Sequence, residues 1–338
     1  MKFKNMITVI DSHTEGQPTR MVISGYPKIP GKTMAEKRDF AQENLDHLRT
    51  AILHEPRGMI NAFGCVMTPP VSDEAAFGII WMQFGVDKEL RYIHMCGHGT
   101  IGVATIAVEM GLVETREPVT EIAIDTPAGL VCARVNVVGG KAKSVTIQNI
   151  PSFLYQTATV NVPGLGKLQT DIAFGGCNYA IVEAKDLKIK PTIADFRKSQ
   201  ALIAQVLKSI NEQVEVQHPE MDFIKGVPSL LISDKPTHPE ATVKNIYIDE
   251  FLLIDRSPCG TGTCARMAAR FGKGELKIGE PFVTESIAGT IYRGKLVKEA
   301  KVGNYKGAIP EVTGRAFVTG ISHFIIDEDD PFKYGFML

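Results

Sequence analysis

Asp255-Arg256-Ser257-Pro258-Cys259-Gly260-Thr261-Gly262-Thr263-Cys264-Ala265-Arg266-Met267-Ala268 sets a cysteine between a proline and a Gly-Thr-Gly-Thr turn, then runs into small and apolar residues at helical spacing. A thiol there sits at the mouth of a helix. The first half of the chain repeats the arrangement: Met95-Cys96-Gly97-His98-Gly99-Thr100 leads into Ile101-Gly102-Val103-Ala104-Thr105-Ile106-Ala107-Val108. The shared pattern is Cys-Gly-X-Gly-Thr followed by a short-residue helix. The copies lie about half a chain apart, as expected of a duplicated unit that cannot complete a site alone. Two matched thiols predict a cleft with one on each wall.

Working outward, Ile7–Ile10 read as a strand ending in the polar Asp11-Ser12-His13-Thr14-Glu15-Gly16-Gln17-Pro18-Thr19-Arg20, with strand character resuming at Met21. On an extended segment Asp11, His13 and Glu15 share a face. That face is either functional or simply a solvated hairpin. Residues 33–53 and 193–212 carry apolar residues at three-to-four spacing and predict amphipathic helices. Strand-like runs occupy 62–68, 77–82, 121–125, 130–137, 144–150, 172–182, 230–233, 243–248, 252–254, 290–293, 295–299, 315–319 and 322–327. Gly175-Gly176 interrupts one of them, a sign of close backbone approach. The order is strands, a helix, more strands, the cysteine motif and its helix, then the same again. This predicts an α+β chain of two pseudo-symmetric domains, each a curled, barrel-like sheet around a central helix. The expected domains are 1–126 with about 319–338, carrying Cys96, and 127–318, carrying Cys259.

At 338 residues the chain is long enough for two cores. A formal charge of −1 gives no reason to expect nucleic acid or a charged membrane surface as partner. No apolar run approaches the roughly 20 residues of a membrane span, and no h-region precedes the first strand. The expectation is a cytoplasmic protein. The six cysteines are scattered, with spacings that fit neither a disulfide framework nor a metal site.

The first amides of a helix lack intrahelical partners and carry partial positive charge. Each Cys-Gly-X-Gly-Thr is therefore an anion site bearing a thiol, and a substrate carboxylate could bridge both. The same field is expected to lower the thiol pKa toward neutrality, making the thiols quick to alkylate. One thiol removes a proton from a carbon beside the carboxylate; the other delivers a proton to the opposite face. No pyridoxal or metal cofactor is needed if amides stabilise the enediolate charge. His98 and Asp255, beside the two thiols, are candidates for holding a substrate amine, against plainer roles as turn and cap residues. Cys264, Cys65, Cys132 and Cys177 read as small core residues.

At these residues the chain resembles the proline racemase family, which also holds hydroxyproline 2-epimerases and trans-3-hydroxyproline dehydratases. The similarity runs the whole length, through Asp11–Gly16, Glu55-Pro56-Arg57-Gly58, Met95–Thr100, Pro236-Thr237-His238-Pro239-Glu240-Ala241 and Asp255–Thr263. The resemblance implies a diaminopimelate epimerase-like fold and Cys96 and Cys259 as the acid/base pair. It implies His98 and Asp255 at the ring nitrogen, with the amides of Gly97, His98, Gly260 and Thr261 on the carboxylate. The dehydratases characteristically carry Thr where this chain has Cys259, so a second thiol favours racemisation or epimerisation over dehydration. Proline racemases wall the ring with aromatics. Phe63 fits that role, and Asp249 or Phe251 falls where another aromatic aligns. Asp249, Asn178-Tyr179 and His94 are the polar candidates for reading a substrate hydroxyl. The expected partner is a small amino acid, proline or a hydroxyproline, with a homodimer possible. The rival expectations are a lyase and a non-catalytic imino-acid binding protein.

Overall fold

The structure, a computed structural model, describes residues 5–85, 91–249 and 253–337. In chain order the elements are β1 (Asn5–Thr14), β2 (Gln17–Ser24), α1 (Met34–Asn44), α2 (Asp46–Leu53), β3 (Phe63–Thr68), β4 (Phe77–Gln83), α3 (Gly97–Glu109), β5 (Val119–Thr126), β6 (Gly129–Val138) and β7 (Lys141–Gln148). The second half gives β8 (Ser152–Val162), β9 (Gly166–Phe174), β10 (Asn178–Glu183), α4 (Ile193–Lys198), α5 (Gln200–Gln213), β11 (Ser229–Asp234), β12 (Val243–Asp249), α6 (Gly260–Gly272), β13 (Phe282–Glu285), β14 (Ile291–Val302), β15 (Tyr305–Gly314) and β16 (Ala316–Ile326). The chain divides into two compact units, Met1–Ile147 with Arg315–Leu338, and Gln148–Gly314. The sequence expectation put those joins at 126/127 and 318/319.

Each unit is built the same way, and parallel strand pairing explains why. A parallel pair needs a crossover, which a helix supplies. In the first unit β2–β3 and β4–β5 are parallel, and the crossovers are α1–α2 and α3. In the second, β10–β11 and β12–β13 are parallel, and the crossovers are α4–α5 and α6. The neighbouring pairs β1–β2, β3–β4, β9–β10 and β11–β12 are antiparallel. The first unit orders its strands β7-β6-β5-β4-β3-β2-β1-β16. The second runs β14-β13-β12-β11-β10-β9-β8-β15, and β15 pairs with β14 to close an eight-stranded barrel.

The two crossovers of each unit take opposite places because their sequences differ. Helix α3 is apolar or small all round, and every residue from Gly97 to Val108 is buried. A helix without a polar face belongs inside a core. It packs against β1, β2, β3, β6 and β16. Helix α6 is likewise buried from Gly260 to Ala269, against β8, β9, β10, β12, β14 and β15. The amphipathic helices cover the outer sheet face. Leu48, Ala51, Ile52 and Leu53 of α2 pack with Ile7, Val9, Val22, Val66, Ile80 and Met82. Ile203, Val206, Leu207 and Ile210 of α5 pack with Val160, Ile172, Val182, Leu230 and Ile232.

Some local expectations need correction. The 33–53 helix breaks at Leu45 (φ −124°, ψ 11°), where the Asp46 carboxylate starts the next helix by binding Arg49. The 193–212 helix breaks at Ser199. The run 172–182 is a hairpin turning at Gly175-Gly176. Strands β8, β13 and β15 are not among the expected runs; β15 contains Gly307 and Pro310, which read as strand breakers. Ile254 forms an isolated bridge to Ile248, and Leu252 lies outside the described residues.

Candidate active site

In the first unit the chain enters α3 through Cys96, whose extended backbone (φ −137°, ψ 117°) makes it the residue that caps the helix. Its Sγ accepts the Gly99 N–H at 3.3 Å, so a thiol occupies the position usually taken by a serine or aspartate oxygen. Thr100 Oγ1 donates to the Cys96 carbonyl at 2.7 Å. A Cβ on Gly99 would lie 2.6 Å from Trp81, 3.0 Å from Phe63 and 3.2 Å from Sγ. The second glycine of the motif is thus fixed by packing against the sulfur and two rings.

His98 stands beside the thiol, with Nδ1 3.2 Å and Nε2 3.8 Å from Sγ. Burial pushes its pKa down to about 3, against a hydrogen bond to the Pro18 backbone that pulls the other way. The ring is neutral near pH 7 and has one N–H. With that N–H on the Pro18 carbonyl, the other nitrogen is an acceptor within reach of the thiol. Phe63 meets the His98 ring edge-on at 4.6 Å and is itself buried. Thr14 Oγ1 donates to the His98 carbonyl at 2.8 Å, and Ser12 and Thr14 press on Gly102. The Asp11–Gly16 motif therefore supports the start of α3. Asp11 is held by Arg20 at 2.8 Å, and Glu15 by Arg315 at 3.3 Å.

In the second unit Cys259 precedes α6 with φ +60° and ψ 101°, a left-handed backbone that non-glycine residues avoid. The loop is gripped on both sides. The Pro258 carbonyl accepts Asn245 Nδ2 at 2.8 Å and Thr263 Oγ1 at 3.3 Å. Arg266 Nε orients Asn245 by donating to its Oδ1 at 2.8 Å. Ser257 Oγ accepts the Cys259 N–H at 3.3 Å. The Gly262 N–H favours the Cys259 thiolate without capping the helix through the sulfur, and the sulfur lies 3.8 Å from the Tyr179 hydroxyl. A Cβ on Gly262 would lie 2.8 Å from Sγ and 2.6 Å from Leu231.

The electrostatics reverse one expectation. The helix terminus was expected to lower both thiol pKa values. Burial instead pushes the Cys259 thiol well up, and the Asp255 charge adds to this, outweighing the Gly262 and Tyr179 hydrogen bonds. Cys259 and Cys96 are each 4% exposed, so quick alkylation of an open thiol is not what this geometry predicts. Asp255 is buried too. Its pKa is raised to about 7, chiefly by loss of hydration, despite the Ser257 N–H donating to Oδ1 at 2.8 Å.

The model of the proline racemase family matches residues 9–337. The chain belongs to the proline racemase family. It is 50% identical to the proline racemase of Acetoanaerobium sticklandii over 99% of each chain, and 49% identical to that of Clostridioides difficile over the full length of both. The crystal structure of a hydroxyproline epimerase from Agrobacterium vitis with bound trans-4-hydroxy-L-proline superposes with a TM-score of 0.91 at 30% identity, covering 100% of this chain and 96% of that one. Relatives spanning this whole chain also include a 4-hydroxyproline 2-epimerase of Streptosporangium roseum at 42% identity and a trans-3-hydroxy-L-proline dehydratase of Bacillus cereus at 38%. The close relatives are isomerases, and so is this racemase-family enzyme.

The remaining candidates in this family member fall in distinct places. Asp249 ends β12, buried, with Oδ1 accepting the Leu253 N–H at 2.9 Å. Phe251 lies outside the described residues. Asn178 ties Tyr155 to the Gly226 carbonyl at 3.0 and 2.8 Å. Burial, with Arg38 nearby, lowers the His94 pKa to about 3. The Thr237-His238 motif wraps the Glu285 carboxylate, which accepts the Thr237 and His238 amides at 2.6 and 2.9 Å and is held down to about 2.

Cys65 and Cys264 are buried core residues. Cys132 is exposed, contrary to its reading as core: β6 turns Val131, Ala133, Val135 and Val137 inward, so Cys132 faces out. Gly175 carries the expected close approach, since its Cβ would lie 2.2 Å from the Thr261 carbonyl and 2.4 Å from the Ala265 amide. Sequence reasoning missed Asn245 and Tyr247, which no motif marks, and gave no role to Ser257, which lies within the Asp255–Thr263 motif. Among the described residues no cluster of three His, Cys, Asp or Glu side chains is placed to hold a metal, and no helix is long and apolar enough to cross a membrane.

Proposed function

We propose that this chain racemises proline without a cofactor, through Cys96 and Cys259 acting on opposite faces of one α-carbon. The observation that carries the reading is the repeated placement: in each unit a thiol directly precedes a buried helix, with the glycine three residues on packed against its sulfur. A two-base racemase needs two groups that can each serve as acid and as base, because forward and reverse reactions exchange their roles. The higher identity to relatives named proline racemase favours proline over a hydroxyproline. The Asp249 carboxylate, engaged with the Leu253 amide, is consistent with an unhydroxylated ring.

The proposed roles follow from local chemistry. The amides of Gly97, His98, Gly260 and Thr261 belong to first helical turns and receive the substrate carboxylate. Asp255 and His98 hold the ring nitrogen, Asp255 as an anion and His98 through its acceptor nitrogen. A bound ammonium offsets the Asp255 charge, which is one of the influences that hold the Cys259 proton on. Substrate binding thus eases deprotonation at Cys259. At Cys96 the Gly99 N–H that Sγ accepts eases the same step. Phe63 packs the wall beneath His98.

The experiment is proton NMR in D₂O with L-proline, trans-4-hydroxy-L-proline and trans-3-hydroxy-L-proline in separate tubes. Loss of the α-proton signal from L-proline is the expected result. Exchange confined to 4-hydroxyproline would move the substrate to the epimerase branch. Loss of water from 3-hydroxyproline without exchange elsewhere would make the enzyme a dehydratase. Saturable binding with no exchange in any tube would make it a binding protein.

A further inference from the structure

We propose that Tyr179 is a positioning residue for the Cys259 thiol, a hydroxyl rotor that turns between Thr261 and the sulfur as Cys259 loses and regains its proton. The Tyr179 hydroxyl is 2.6 Å from Thr261 Oγ1 and 3.8 Å from Cys259 Sγ, and the ring is buried on β10. Both contacts lie within hydrogen-bond reach, the longer one because sulfur is large. A phenol has one O–H to give and can also accept. With Cys259 protonated, that O–H points to Thr261. With Cys259 ionised it turns to Sγ, and the Thr261 hydroxyl donates back to the phenol oxygen. No heavy atom moves, and the thiolate gains a second donor beside the Gly262 amide.

The surroundings favour Tyr179 in this part. Burial raises its pKa, so it stays a donor across the working range. The titratable groups that bear on Cys259 are Asp255 from the loop before α6, Cys177 and Tyr179 from the β9–β10 turn and β10, and Tyr247 from β12. Asp255 opposes the thiolate; Tyr179 supports it. Apolar Leu231, Ile181 and Ala265 complete the packing, so the hydrogen bond acts where water does not compete. In the first unit the side chain beside the thiol is the His98 ring, so the two thiols have different neighbours.

This inference rests on the two-thiol reading, and the test separates the two. Tyr179→Phe keeps the ring and removes the hydroxyl. In the full-length enzyme kcat is measured against pH in both directions with L- and D-proline. The expected result is a fall of about tenfold or more and a shift of about one pH unit to the alkaline side in a single limb. That limb is the acid one in the direction where Cys259 is the base, and the alkaline one in reverse. Thr261→Val, which removes the other half of the rotor, is expected to shift the same limb and serves if the first variant does not fold. An unchanged rate, or a uniform fall with both limbs in place, would overturn the proposal. The second arm needs no turnover: site-resolved alkylation of Cys259 against pH, read by mass spectrometry. Tyr179→Phe is expected to move that profile alkaline. If the wild type exchanges no proline proton, the racemase reading fails, and the alkylation arm still decides Tyr179.

Discussion

Cys96 and Cys259 share a place at the head of a buried helix and differ in much around it. The glycine three residues after each is packed so tightly that a methyl would strike the sulfur or its neighbours. Around Cys96 the backbone is relaxed and the side-chain partner is a neutral imidazole. Around Cys259 the backbone is left-handed, and the neighbours are a carboxyl and a phenol. The repeated motif sets each thiol at the head of a buried helix but not in one backbone conformation. In the proposed mechanism the charge beside each thiol can differ, because a neutral acceptor and an anion can hold the same ammonium. The left-handed φ at Cys259 is held by Asn245, Thr263 and Ser257, whereas the extended Cys96 has Thr100 on its own carbonyl.

The strongest test of that likeness is removal of either sulfur. Cys96→Ser and Cys259→Ser are each expected to lower kcat by about 10²–10⁴-fold, measured by polarimetry. Comparable losses support a pair; turnover retained in one variant would break it. Next is Gly175→Ala, which forces a methyl against the Thr261 carbonyl and Ala265 amide, both backbone atoms that cannot yield alone. The expected cost is about 3 kcal/mol, read as a lower midpoint in chemical denaturation. Gly99→Ala, facing ring atoms that have some freedom, is expected to cost less.

A smaller effect sharpens the electrostatic difference. The Asp255 pKa is raised to about 7, so the carboxyl is mostly protonated at pH 6 and mostly ionised at pH 8. An ammonium prefers the ionised form. KM for proline is therefore expected to fall as pH rises from 6 to 8, and Asp255→Asn to raise KM about tenfold and flatten the dependence. The smallest effect is at Cys132. It is exposed, so it is expected to alkylate before either buried thiol, and Cys132→Ser to leave activity unchanged.

The repeat was legible in the sequence because glycine spacing after a cysteine is a local code. So was the central helix α3, whose lack of a polar face is visible residue by residue. Strand β15 was not, because Gly307 and Pro310 are tolerated only through pairing partners distant in sequence: Ser152 closes on Gly307, and a bulge lies beside Leu296, which faces Pro310. The thiol electrostatics were half legible. The helix terminus that lowers a pKa can be read from the motif, whereas the burial that raises it depends on Leu231, Tyr179 and Tyr247, which arrive from other strands. Asn245 is the plainest case: nothing in Val243–Asp249 marks it, and only the fold brings it to Pro258.

The most direct measurement of the central claim follows L-proline in D₂O at early times by chiral chromatography with mass detection. Two thiols on opposite faces predict that D-proline forms with deuterium at the α-carbon while the remaining L-proline keeps its proton. D-proline that retains the original proton, or L-proline that gains deuterium before D-proline appears, would contradict it and point to a single base.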